Sequence, residues 1–154
     1  MEKFYFAQKA FIVDEGTLLL VRKSEDDPNQ AGKWEVPGGR MDFGEDVDPH
    51  LLREVQEEVG LTIEPGRPFY VWQWQIHRVN RDGESVDMQI VAVARLCRPV
   101  TRTISQDHRV EEDYLGETEW VPFSRILEYN LIPNMIPVVE AFLSLPEISA
   151  VSSR

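Results

Sequence analysis

The sequence predicts an α/β protein in which a mixed sheet is covered by helices on both faces. Two observations lead there. The chain opens with two β-rich runs around a turn and carries an amphipathic helix near its middle. Two further long β-rich runs follow that helix, and a last helical segment closes the chain. In order, Phe4 to Val13 and Thr17 to Val21 read as strands joined by the hairpin signal Asp14-Glu15-Gly16. Residues 24 to 33, SEDDPNQAGK, are polar with Pro and Gly and read as a loop. Short extended pieces are expected at Trp34 to Val36 and Met41 to Phe43, on either side of a Pro37-Gly38-Gly39 corner. Asp48-Pro49 suits a helix start and Gly60 its stop, because Gly adopts the left-handed conformation that ends many helices. Phe69 to Val79 and Val86 to Cys97 read as long strands that turn at residues 81 to 84. Residues 98 to 113 are a charged loop, and Glu117 to Val121 is a short strand leading into a helix from Pro122-Phe123-Ser124. The last helical segment runs from about Asn134 to Leu145, with Pro137 in its first turn. One domain is expected over residues 1–148, with a frayed tail at 149–154.

Composition narrows the partners. The 154 residues suffice for a real core, and 16 basic against 27 acidic side chains give a net charge of −11. An acidic chain is a poor match to duplex nucleic acid, so no nucleic-acid partner is expected. A nucleotide substrate remains compatible, since a metal can carry the positive charge that phosphates require. No apolar run is long enough to span a membrane. Gln8 and Lys9 interrupt the first apolar stretch, which argues against a signal peptide, and Cys97 has no partner for an internal disulfide. A cytoplasmic protein is expected. Cys97 reads as the buried end of a strand.

The chemistry concentrates in the central helix. Glu54, Glu57 and Glu58 stand at i, i+3 and i+4, within an arc of about 100°. Leu51, Leu52, Val55 and Val59 form a separate apolar stripe suited to a sheet. A Glu-rich helix is ordinarily a solvated face, but such a face gains from interleaved bases, and this helix has only Arg53. Clustered carboxylates repel unless a cation lies between them, and a hard divalent ion with oxygen ligands meets that need. Immediately upstream, the Pro37-Gly38-Gly39 corner allows close backbone approach and leaves carbonyls free for coordination.

Residues 39–61, GRMDFGEDVDPHLLREVQEEVGL, fill the pattern G-x5-E-x7-R-E-U-x-E-E-x-G-U at every position, with U apolar. This stretch resembles the box of the Nudix hydrolase family. The strands, the corner and the late Glu117 to Pro122 segment are compatible with it. The resemblance implies an α/β/α sandwich and Mg2+-dependent hydrolysis, with Mn2+ as a substitute, of the diphosphate bond in a nucleoside diphosphate linked to another moiety. Nucleoside triphosphate, ADP-ribose and sugar-nucleotide substrates all stay open. By resemblance Glu57 and Glu58 are metal ligands, with Glu58 also counted among the catalytic residues, and the Gly38 carbonyl is the backbone ligand beside Gly39. Glu54 is a third ligand or the general base, with Glu112 of the Glu111-Glu112-Asp113 loop as its rival. Arg53 is expected to point away from the carboxylate stripe and pair with Glu45, bracing the loop against the helix. Arg22 and Lys23 are candidate phosphate contacts. Trp72 and Trp74 share one side of a strand, where they can stack a base or sugar, pack in the core or form a dimer surface. His50 is expected to be exposed, and His77 and His108 receive no role. A homodimer is an analogy with relatives only. The competing reading is a catalytically silent Nudix-like sensor, against which the intact carboxylates argue.

Overall fold

The computed structural model describes residues 1–152. Among the described residues there are seven strands: β1 (Glu2–Asp14), β2 (Thr17–Lys23), β3 (Trp34–Glu35), β4 (Gly38–Arg40), β5 (Ile63–Val79), β6 (Ser85–Pro99) and β7 (Leu115–Pro122). Helices α1 (Val47–Val59), α2 (Ile136–Leu143) and α3 (Pro146–Ser152) join them, with short 3-10 turns between the later elements. The sheet order is β3-β2-β1-β6-β5, with β4 added to β1 and β7 to β2.

β1 is the organising strand. It runs parallel to β6 from Glu2↔Asp87 to Ile12↔Cys97, antiparallel to β4 at Ala7↔Arg40 through Lys9↔Gly38, and antiparallel to β2 at Val13↔Leu18. β5 lies antiparallel to β6 on the outer side, so the sheet is mixed as expected. Strand alternation sends successive residues to opposite faces. Phe11, Leu18 and Leu20 pack with Val138, Val139 and Phe142 of α2. Ala10, Ile12 and Leu19 pack with Leu51, Val55 and Val59 of α1. Both faces are thereby covered by helix.

α1 starts earlier than expected. Asp46 is its cap residue, with extended φ −86° and ψ 157°, and its carbonyl accepts the His50 amide at 3.0 Å. Asp48 instead supplies first-turn negative charge, favourable at the positive end of the helix dipole. The helix stops at Gly60, where φ is +72° and the amide bonds to the Gln56 carbonyl.

Some expectations are displaced. Met41 to Phe43 is not a strand; the corner itself forms β4 against β1. Gly38 makes this possible, because at its φ of +142° an added Cβ would stand 2.1 Å from the Gln8 carbonyl oxygen. β5 extends upstream to Ile63, with register shifts around Pro68, which lacks a ladder N–H. The segment after Pro122 is a 3-10 turn, Phe123–Glu128, and the last helical segment divides into Pro133–Met135 and α2. Residues 149–152 of the expected tail belong to α3, and 153–154 lie outside the described residues. No described helix is long and apolar enough to cross a membrane.

Candidate active site

The apolar stripe of α1 pins one side of the helix onto β1 and β2, and this carries its neighbours inward. Glu54 and Glu58 are 8% and 5% exposed, while Glu57 stays half-buried at the rim. The glycine corner of β4 meets them. The Gly38 amide donates to Glu58 Oε2 at 3.1 Å. A Cβ on Gly39 would stand 2.8 Å from Glu54 Oε2, so any side chain there would displace that carboxylate.

Burial dominates the electrostatics. It pushes Glu54 up to about 7 despite the neighbouring Arg53, with Glu57 and Asp113 adding like charge. It holds Glu58 well above the usual carboxylate range, opposed by Lys9 and reinforced by Glu35 and Glu54. Two desolvated carboxylates therefore sit beside a backbone corner with less positive charge than their burial demands. Oxygen donors in that condition suit a hard divalent cation. Among the described residues, no three carboxylate, imidazole or thiol groups already converge as a metal site. Glu57, at the rim, is engaged by Arg53, whose Nη1 donates to its Oε1 at 3.1 Å.

Arg53 braces the loop as expected. Its Nε and Nη2 donate to the two oxygens of Glu45 at 2.7 and 2.8 Å, a bidentate pair. This pair, with the Asp42 amide, holds Glu45 down at about 2. Arg53 does not point away from the carboxylates, however. The i,i+4 spacing brings it onto Glu57, and its Nη2 lies 3.4 Å from Glu54 Oε1.

The other expected residues divide. Lys23 stands beside the site, 3.3 Å from Glu35 Oε2, and donates to the Asp113 carbonyl at 2.9 Å. Arg22 turns into the 24–33 loop, contacting Glu25 at 2.5 Å and the Gly32 carbonyl at 3.3 Å. The Glu112 side chain lies outside the described residues. His50, expected at the surface, is fully buried, because it sits one turn before Glu54 on the inward side. Gln8 fixes its tautomer. The Gln8 amide nitrogen also donates to the Val47 carbonyl at 2.7 Å, so at 2.8 Å it meets His50 Nδ1 as donor to acceptor. The imidazole proton is then on Nε2, 3.9 Å from Glu54 Oε1.

Three further residues, Lys9, Glu35 and Arg109, were not singled out by the sequence. Lys9 pairs with Glu35 and donates to the Gly38 carbonyl at 3.3 Å. Arg109 fastens the charged loop: its Nε donates to the Glu58 carbonyl at 2.8 Å and its Nη1 to the Gly116 carbonyl at 2.7 Å. The signal for Lys9 was a lone base inside an apolar strand; Arg109 offered none in a polar loop. Beside this group opens a cavity of about 750 Å³ lined by Lys9, Lys23, Trp72, Trp74, Ile132 and Asn134, among others. Trp72 and Trp74 flank it with ring centroids 6.1 Å apart.

A mixed sheet between helix layers, with a loop-helix-loop presenting buried carboxylates to a glycine corner, defines a Nudix-type domain. The chain belongs to the Nudix hydrolase family: the family's model, described as NUDIX domain, matches residues 6–142. It is 29% identical to the Escherichia coli CTP pyrophosphohydrolase over 88% of this chain and 89% of that protein. It is 30% identical to the E. coli 8-oxo-dGTP diphosphatase over 44% of this chain, spanning 61% of that protein's length. The fold matches a crystal structure of a MutT NUDIX hydrolase from Burkholderia pseudomallei, with TM-score 0.67 and 24% identity, over 90% of this chain and 98% of that one.

Proposed function

We infer that the protein is a divalent-metal-dependent pyrophosphohydrolase of nucleotides. The observation that carries this reading is the pair of buried carboxylates, Glu54 and Glu58, facing the Gly38-Gly39 corner with less positive charge than their burial demands. Mg2+ fits this all-oxygen donor set, with Mn2+ as a substitute; Glu58, Glu57 and the Gly38 carbonyl would hold it, with Glu54 as a third ligand or, left free of the ion, the general base. When bound, such an ion supplies charge neutralisation on the phosphoanhydride and an acidified water.

The chain's own residues do the remaining work. Arg53 couples Glu45, Glu54 and Glu57, so the loop and helix hold the carboxylates in one arrangement. Glu54, held near neutrality by burial, is suited to accept the proton of an attacking water. Glu112 is its rival. Each to Gln, assayed at saturating Mg2+, separates them: the base loses on the order of 10²-fold or more in turnover, while the other variant stays near the parent. If both stay near the parent, neither is the base.

The cavity lined by Lys9, Lys23 and Glu35 accepts the nucleoside, with Trp72 and Trp74 as stacking surfaces. The names of the two E. coli relatives favour nucleoside triphosphates over ADP-ribose or sugar nucleotides. Hydrolysis products analysed by mass across all these classes, with Mg2+ and with EDTA, test the reading. Turnover confined to the Mg2+ arm supports it. Binding without turnover in either arm establishes the sensor instead.

A further inference from the structure

Lys9 is a half-buried cation at the edge of the carboxylate corner, and the proposed function assigns it no contact with substrate. It lies on β1 between Ala7 and Phe11, opposite Gly38 of β4, on the sheet face that carries the cavity. A lysine among buried apolar residues is costly unless its charge is used. Glu35 does not account for it. That single carboxylate already has Lys23 at 3.3 Å, so two ammonium groups share one negative charge. The triad therefore carries surplus positive charge, in a protein whose net charge is −11. Glu54 and Glu58 act on Lys9 from farther away, but among the described residues its polar contacts are Glu35 and the Gly38 carbonyl. An ammonium has three N–H donors, so one remains. Its side chain keeps 12% exposure and lines the cavity.

We propose that Lys9 binds substrate directly, giving its third N–H to a phosphate oxygen where the cavity meets the carboxylate corner. The ligand class is the phosphate next to the nucleoside, and the assignment rests on the nucleotide reading above. Lys9 touches the corner at the Gly38 carbonyl and also lines the cavity, so its contact fixes how far the phosphate chain advances toward Glu54 and Glu58. Lys23, tied to Glu35 and to the Asp113 carbonyl, balances the remaining charge.

The test uses the intact protein in EDTA, with Trp72 and Trp74 as fluorescent reporters of the cavity. Binding of CMP is compared with cytidine, and dGMP with deoxyguanosine, for the parent and Lys9→Met. A Lys9→Met/Glu35→Gln pair keeps the charge balance should the single variant melt without cooperativity. The parent should prefer each monophosphate to its nucleoside by on the order of tenfold, and the variants should lose that preference while binding nucleosides unchanged. Equal loss for nucleoside and monophosphate, a retained preference, or no monophosphate binding by the parent overturns the proposal. The nucleotide panel keeps the two readings separate. Turnover with Lys9 indifferent sinks this inference alone, whereas a Lys9-dependent preference without turnover sinks the enzyme reading alone.

Discussion

Replacing Glu58 by Gln should lower turnover at saturating Mg2+ by on the order of 10³-fold, the largest functional loss expected of any single change in this chain. Glu58 is the deepest of the helix carboxylates, at 5% exposure, and it alone accepts the Gly38 amide. Gln keeps the size and can still accept that hydrogen bond, so the fold should survive. What disappears is a negative charge in a desolvated place, where a cation gains most from it. Thermal stability without metal should rise, since burial already penalises the charged form. The neighbouring Gln56 is exposed, and Gln56→Ala should leave turnover within about twofold. Steady-state kinetics with matched melting curves check this. A Glu58→Gln enzyme within tenfold of the parent would remove Glu58 from the site.

Gly38→Ala should cost on the order of 3–5 kcal/mol of folding stability, the largest structural effect expected. Two penalties coincide there. The φ of +142° is a backbone region L side chains rarely adopt, and the new Cβ would lie 2.1 Å from the Gln8 carbonyl oxygen and 2.8 Å from Lys9 Cα. Those atoms belong to the central strand, so they cannot yield without disturbing β1. Gly44 supplies the comparison. Its φ of +88° is also strained for alanine, but nothing lies within 4 Å, so Gly44→Ala should cost only about 1 kcal/mol. Chemical denaturation of both variants tests the contrast. Equal costs would mean that the close packing of the corner on β1 carries no weight.

The local parts of this architecture were legible in the chain. The hairpin turn at Asp14-Glu15-Gly16, the stop of α1 at Gly60 and the Arg53–Glu45 brace all rest on spacing within a single segment. The residues that escaped depend on which distant segments meet. His50 reads as a surface residue beside Pro49 until α1 is laid on β1, where Gln8 receives it. Lys9 and Glu35 are far apart in sequence and become partners only when β3 pairs with β2 and β2 with β1. Arg109 binds the end of α1 and the start of β7 from a loop whose composition shows only polarity. Met41 to Phe43 failed as a strand for a related reason: the glycines expected to make a bare corner supplied the paired strand themselves.

Manganese binding followed by electron paramagnetic resonance as a function of pH tests the central claim most directly. Burial raises Glu54 to about 7 and holds Glu58 well above the usual carboxylate range, so protons and cation compete for the same oxygens. The sign follows: a raised carboxyl is neutral and stabilising at low pH, and its charged form becomes a burden as pH rises through about 7 unless a cation arrives. The parent should bind Mn2+ weakly at about pH 5 and tightly at about pH 8, with the bound ion raising the melting temperature most at the higher pH. A Glu54→Gln/Glu58→Gln protein should bind weakly at both. Equal binding by the parent at the two pH values, or by the double variant and the parent at about pH 8, would contradict the account.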